Sequence, residues 1–469
     1  MNAGMRPVNA MRVRTADGTR RISMSGEIAK SDRQTPFVMH GMPGADRSFK
    51  PTSERSGQGT LTRQSARDSS VNAPRRRRQI ANIFRCFFPI GLTALSALLF
   101  STVASSARED YANGFPSDPS FFPIGVWLQS PERAPAYKAI GINTFVGLWK
   151  GPTEGQLAAL TKYDVFVVAS QNDIGLHSAN RRIIKGWLLD DEPDNAQPIG
   201  MGLYGSCVPA TEVVRRTEEM KARDDTRPGM LNFGQGIVNQ FWQGRGPCTG
   251  DENYYSVAAR DVDILSFDIY PVGSRTPQVK GKLEYVARGV TRLMNLAVEG
   301  QRVWAFIETT ALDPGHPVTP AQLCAEVWMA IIHGARGIVY FVHEFSPTLR
   351  EDAIFRYPEV VDKVAEENAL IKSLANVLNS SNLDGAITVQ SRVPIATMVK
   401  RYQNTFYVFA VAMTDSASRC RFTLQGFNGA KALVVGEKRD ATITRGVFED
   451  SFDGYGVHIY EIPVPGADN

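Results

Sequence analysis

The chain has 469 residues, 43% of them hydrophobic, and a formal charge of +4, enough to bury a large core and to hold more than one domain. The charge is unevenly placed. Up to Ala107 there are 17 Lys and Arg against 6 Asp and Glu, so the remainder is net acidic, which argues against nucleic-acid binding by the folded body.

Residues 1–80 are rich in Arg, Ser, Gly and Thr and have no sustained apolar period, the signature of a disordered basic leader. The run "RRRRQ" at 75–79 is followed by "FFPIGLTALSALLF" at 87–100 and by the small residues "STVASSA" ending at Ala107. This order predicts a secretory signal peptide over 81–107 and a secreted or periplasmic protein. The apolar run is short of the roughly 20 residues of a membrane helix. Membrane contact is therefore expected only through this segment, if it stays uncleaved. In an oxidising compartment Cys207 in "LYGSCVP" and Cys248 in "GRGPCTG", both in loop-like surroundings, can bridge. Cys324 lies in the helical "AQLCAEVWMAIIHG" and reads as a buried thiol. No cysteine has metal-site spacing, no His-x-His pair sits on a strand, and no metal or cofactor is expected.

From residue 108 to 380 strands and helices alternate. The strands are "FPIGVWL" (122–128), "NTFVGLW" (143–149), "DVFVVAS" (164–170), "GWLLD" (186–190), "GMLNFGQ" (229–235), "DILSFDIYP" (263–271), "RVWAFIETT" (302–310) and "GIVYFVHEF" (337–345). Helical segments lie between them, the one before the eighth strand capped by Thr319 with Pro320 in its first turn. Near-continuous apolar strands alternating with helices predict a parallel sheet covered on both sides, and eight units in this length predict a (β/α)₈ TIM barrel. No Gly-x-Gly-x-x-Gly turn follows the first strand, which disfavours a doubly wound sheet. Residues 381–469 are short β runs broken by Gly, Asn and Asp, a small antiparallel β-sandwich domain.

Polar groups at the C-terminal ends of barrel strands share one mouth. These are Asp191 and Glu192 after the fourth strand, Gln235 after the fifth, Asp268 and Tyr270 on the sixth, Glu308 on the seventh, and His343 and Glu344 on the eighth. Trp127 and Trp149 end the first two strands, where they either stack on a ligand ring or anchor helix packing. Trp187 and Trp304 begin their strands and read as core. Glu192 also fits a helix-start carboxylate ahead of Pro193, Glu308 a buried ion-pair partner, and His343 a structural histidine.

"DEP" (Asp191, Glu192, Pro193) on the fourth strand and "FIET" (306–309) on the seventh resemble the two motifs of the clan A glycoside hydrolases. That resemblance covers roughly residues 120–375. It implies a retaining β-glycoside hydrolase acting on a polysaccharide or oligosaccharide, with Glu192 as acid/base, Glu308 as nucleophile and Tyr270 hydrogen-bonded to the nucleophile. Asp190 and Asp191 would then raise the pKa of Glu192 by like-charge repulsion. The chain departs from the resemblance at Asp191, where relatives carry Asn, and at the eighth strand, where His343 and Glu344 replace a tryptophan platform and would contact sugar hydroxyls. A non-catalytic carbohydrate-binding barrel is the alternative function, and a metal-dependent barrel hydrolase a third.

Overall fold

The computed structural model describes residues 12–15, 18–21, 111–201, 203–242, 247–424 and 426–464. The expected leader and signal peptide lie outside the described residues, except that Arg12–Thr15 and Gly18–Arg21 pair as an antiparallel hairpin. Among the described residues no helix is long and apolar enough to cross a membrane.

Eight parallel strands close into a barrel in chain order. They are β1 (Ile124–Trp127), β2 (Thr144–Val146), β3 (Phe166–Ser170), β4 (Ile184–Asp191), β5 (Gly229–Phe233), β6 (Ile264–Phe267), β7 (Arg302–Glu308) and β8 (Ile338–Phe341). The period of two along each strand divides the core. Trp127, Val146, Val168, Met230, Trp304 and Phe306 fill the barrel, while Val126, Phe145, Leu231, Leu265, Val303 and Tyr340 belong to the layer beneath the helices. Trp187 and Trp304 are both buried, the first in the outer layer and the second inside the barrel.

The outer ring is α1 (Ala134–Ala139), α2 (Glu154–Tyr163), α3 (Asp173–His177), α4 (Ala210–Arg223), α5 (Glu252–Ala259), α6 (Glu284–Leu296), α7 (Pro320–Ile332) and α8 (Pro358–Ser373). Thr319 caps α7 through a reciprocal bond pair with Gln322, with Pro320 opening the helix, as its sequence predicts. The short helix α5 and a hairpin at Pro198–Gly200 and Leu203–Tyr204 have too few residues to show a period. Tertiary packing decides α5, where Tyr254, Tyr255, Ala258 and Ala259 are all buried.

Beyond the barrel a three-stranded and a five-stranded antiparallel sheet enclose Val408, Phe422, Phe448 and Tyr460, with the Phe422 and Phe448 rings stacked at 4.8 Å. This is the expected sandwich. It rests on α7, where Trp328 stacks on Phe409 at 5.6 Å. Cys324 is only half buried and Cys420 fully so, and neither is bridged.

Cys207 and Cys248 form a disulfide with 6.1 Å between Cα atoms. It joins the loop after β4 to the loop after β5 across 41 residues of sequence. Closing such a loop removes denatured-state entropy, so the Cys207→Ala, Cys248→Ala double variant is expected to lose about 2–4 kcal/mol of stability. Urea unfolding with intact and reduced protein measures it, and equal midpoints would show that the bridge does not constrain the fold.

Candidate functional site

The run of three acids after β4 is explained by a bulge. Leu188 pairs with Met230 and Asp191 with Asn232, so β4 spends three residues where β5 spends two. The extra residue turns the strand by half a period. Asp190 consequently faces α4, where Arg216 binds it at 2.7 Å. Asp191 faces inward and accepts from Asn232 Nδ2 at 3.0 Å. Glu192 then takes a left-handed backbone, φ 45°, a conformation that costs a non-glycine residue roughly 1–2 kcal/mol. Its N–H donates to the Asn232 carbonyl at 2.8 Å. Asp190 is turned away to Arg216, while Asp191 and Glu192 stay in one buried acidic cluster with Asp268.

The turn that follows is closely wired. Asp194 accepts from Gly234 N–H at 2.8 Å and from the Tyr255 hydroxyl at 2.9 Å. Gln197 Nε2 donates to the carbonyls of Glu192 and Asn195. Asn195 Oδ1 accepts from the Trp242 indole at 3.2 Å. Glu192 ends 7% exposed, with Oε2 outside normal hydrogen-bond geometry to any protein group.

β6 stops at Phe267, earlier than its apolar pattern, because residues 268–273 leave the ladder to serve two sites. Asp268 receives Asn232 Nδ2 at 3.3 Å and hydrogen-bonds both the Tyr270 hydroxyl and the Glu192 carboxyl. Val272 and Gly273 instead donate their N–H groups to Glu308, to Oε1 at 2.6 Å and Oε2 at 2.8 Å. Gly273 has to be glycine here: a Cβ would stand 2.6 Å from the Leu312 Cβ and 3.2 Å from Glu308 Oε2.

Burial dominates the electrostatics. It lifts Asp191 to about 6 and Asp268 to about 7. Glu192 is raised well above the usual carboxyl range by burial first, then by the negative fields of Asp268, Asp191 and Asp194. Asp190, paired with Arg216, is not among the principal repulsions on Glu192, although its charge raises Asp191. Glu308 is also lifted by burial, to about 7, but the Val272 and Gly273 N–H groups favour its ionised form. Behind it lies Glu326 of α7, fully buried, its carboxyl pushed well above the usual range by burial and then by the charge of Glu308.

Several expected roles move. Tyr270 bonds Asp268 rather than Glu308, and its ring lies 4.8 Å from that of Phe341. Trp127 is buried edge-on against Phe306 at 5.4 Å, which makes it packing. Trp149 is 49% exposed in the loop after β2, with the Lys150 ammonium 5.5 Å from its ring. Gln235 is half buried and holds Asn239 Nδ2 at 2.9 Å. His343 is fully buried, contacts Gln129 Nε2 at 2.9 Å and is kept neutral down to about 4 by burial. Glu344 is buried and bound by Arg356 at 2.6 Å and by the Tyr357 hydroxyl. His343 and Glu344 are therefore engaged inside the fold, with the His343 Nδ1 left outside normal hydrogen-bond geometry. A cavity of about 210 Å³ lined by Ile332, Asp384 and Met398 lies at the C-terminal end of α7, away from the mouth.

Asn195, Asp194, Asn232, Trp242 and Glu326 were not legible as site residues. The first two continue "DEP" as "DEPDN", Asn232 is a lone polar residue at an inward position of β5, and Trp242 is an aromatic in a polar loop. Glu326 gives no signal, because a single acid in an apolar helix does not reveal what it faces. Among the described residues no group of three or more His, Cys, Asp or Glu is arranged to hold a metal ion.

No protein family's sequence profile matches the chain, and no curated protein matches it in sequence. Solved structures similar to it include AmyP in complex with maltose, with TM-score 0.48 and 9% identity over 75% of this chain and 98% of that one. A noncanonic maltogenic α-amylase, AmyB from Thermotoga neapolitana, gives 0.46 and 9% over 74% and 99%. α-Galactosidase I from Mortierella vinacea gives 0.46 and 10% over 75% and 99%.

Proposed function

We propose that this protein is a glycoside hydrolase, with Glu192 as proton donor and Glu308 as nucleophile of a double displacement that retains anomeric configuration. The observation that carries this reading is the contrast between two buried carboxyls at strand ends. Glu192 sits among acids that keep its proton on, whereas Glu308 sits on two amide N–H groups that favour its charge. Opposed environments of this kind assign acid and base.

Glu308 attacks the anomeric carbon while Glu192 passes its proton to the departing oxygen, leaving a glycosyl ester on Glu308. Glu192, now ionised, takes a proton from water, and the water oxygen displaces Glu308. We assign the substrate to β-linked poly- or oligosaccharides and the protein to a secreted or periplasmic setting, the latter supported by the disulfide between Cys207 and Cys248.

Hydrolysis of a panel of aryl β-glycosides and β-glycans, with the first-formed anomer followed by proton NMR, tests the proposal. Retention supports it. Inversion sinks the double displacement, and binding without hydrolysis across the panel would leave a carbohydrate-binding barrel. A second reading is favoured by the Glu192–Asp268 hydrogen bond and by the full burial of Glu308: Asp268 is then the partner acid and Glu308 structural. Asp268→Asn losing turnover while Glu308→Gln keeps it would select this reading.

A further inference from the structure

Two polar atoms beside Gly234 are left over by the wiring described above. Asn195 is 2% exposed, and its Nδ2 has no partner within normal hydrogen-bond geometry. A Cβ placed on Gly234 would stand 2.8 Å from that nitrogen and 3.1 Å from Glu192 Oε1, so the amide nitrogen and the carboxyl oxygen converge on the space this glycine leaves open. The orientation of the amide is decided by Trp242. An indole N–H can only donate. Its bond to Asn195 at 3.2 Å therefore identifies the atom it meets as Oδ1 and turns the donor end toward Glu192. The Asn195 backbone N–H also donates to the Glu192 carbonyl at 3.1 Å, and the amide lowers the Glu192 pKa against the neighbouring acids.

We propose that Asn195 is the positioning residue of Glu192, aimed by the Trp242 indole and given room by Gly234. This rests on the reading of Glu192 as the proton donor. The titratable groups acting on Glu192 from its other sides are Asp191 and Asp194 on its own turn and Asp268 from the segment after β6, with Tyr270 bonded to Asp268. Against these acids Asn195 supplies an amide donor. It holds one carboxyl oxygen in place and leaves Oε2, the oxygen without a protein partner, to face the leaving group. It also makes the second half of the reaction possible, because a base forms only if the carboxylate is stabilised when the proton leaves.

The test uses the full-length protein and needs no substrate for its first arm. Difference infrared spectroscopy follows the protonated-carboxyl band that disappears in Glu192→Gln, and its titration midpoint is compared in three proteins. In Asn195→Ala the midpoint should move up by about one pH unit, the worth of one lost hydrogen bond to a charged group. In Trp242→Phe it should move up by less, since the amide remains but is no longer aimed. An unchanged or lowered midpoint in a natively folded Asn195→Ala overturns the proposal. Should that variant not fold, an unchanged midpoint in Trp242→Phe does so. The second arm uses an aryl glycoside that the protein hydrolyses, where the alkaline limb of kcat/KM should move in the same direction as the band. A Glu192→Gln variant with full activity would remove Glu192 from the mechanism while leaving the midpoint shift intact, so the two ideas fail separately.

Discussion

Glu308→Gln is expected to lower turnover by about four orders of magnitude or more on any glycoside that the protein hydrolyses, because an amide cannot form the covalent ester. Glu192→Gln is expected to cost roughly 10²–10⁴ on substrates with poor leaving groups and little on those with good ones. Azide, which needs no deprotonation to attack the glycosyl ester, should restore its second step. The pH profile separates the two further. Glu308 must be ionised and sits at about 7, so activity should rise through that region. Glu192 must be protonated and sits well above the usual range, so activity should fall only at higher pH. Steady-state rates and pH profiles of both variants check this. Equal losses without azide rescue, in folded proteins, would remove the assigned roles.

Trp304→Ala is expected to cost about 3–5 kcal/mol of unfolding free energy, as for a large aromatic deleted from a packed core. Trp304 is 1% exposed at an inward position of β7, packs on Phe115 with ring centroids 5.4 Å apart, and lies so close to β8 that a Cβ on Gly337 would be 2.6 Å from its Cε2. Three elements lean on this one ring: the segment before β1, the seventh strand and the start of the eighth. Its indole nitrogen has no hydrogen-bond partner, so Trp304→Phe should lose much less, because relieving a buried unpaired N–H returns part of the lost packing. Urea unfolding of the three proteins decides it. A Trp304→Ala midpoint within experimental error of the parent would show that the barrel interior collapses around the hole.

Strand positions and the carboxylates at their ends were available from the chain alone, for a local reason. A parallel strand buried on both faces has to be an apolar run, and a run of that kind flanked by helical periods repeats eight times between "FPIGVWL" and "GIVYFVHEF". The acids that follow such runs stand out because nothing local accounts for them. Caps are equally local, so the Thr319 and Pro320 helix start was legible as well. The loop disulfide was half legible: two cysteines in loops say that a bridge is possible, and only the barrel brings their Cα atoms to 6.1 Å.

Which way each carboxylate points was a tertiary decision. One extra residue in β4, visible only against the register of β5, sends Asp190 to Arg216 and Asp191 to Asn232, and reverses what simple alternation would assign. The pKa order followed from the same cause. Adjacency in sequence puts Asp190 next to Glu192, yet burial and Asp268, 76 positions away by chain number, do more to hold its proton. Tyr270, His343 and Glu344 carry the right chemical groups at the right strand ends. The Tyr270 hydroxyl is spent on Asp268, two residues back on its own segment, while the His343 ring meets Gln129 from the loop after β1 and the Glu344 carboxyl meets Arg356 from the turn before α8. Hydrophobic period and turn chemistry, which are properties of neighbours along the chain, were enough for the barrel, the sandwich and the two acidic strand ends. The tertiary structure decided which acids are paired, which are kept protonated and which side chain aims Glu192, since burial and hydrogen bonding are properties of neighbours in space.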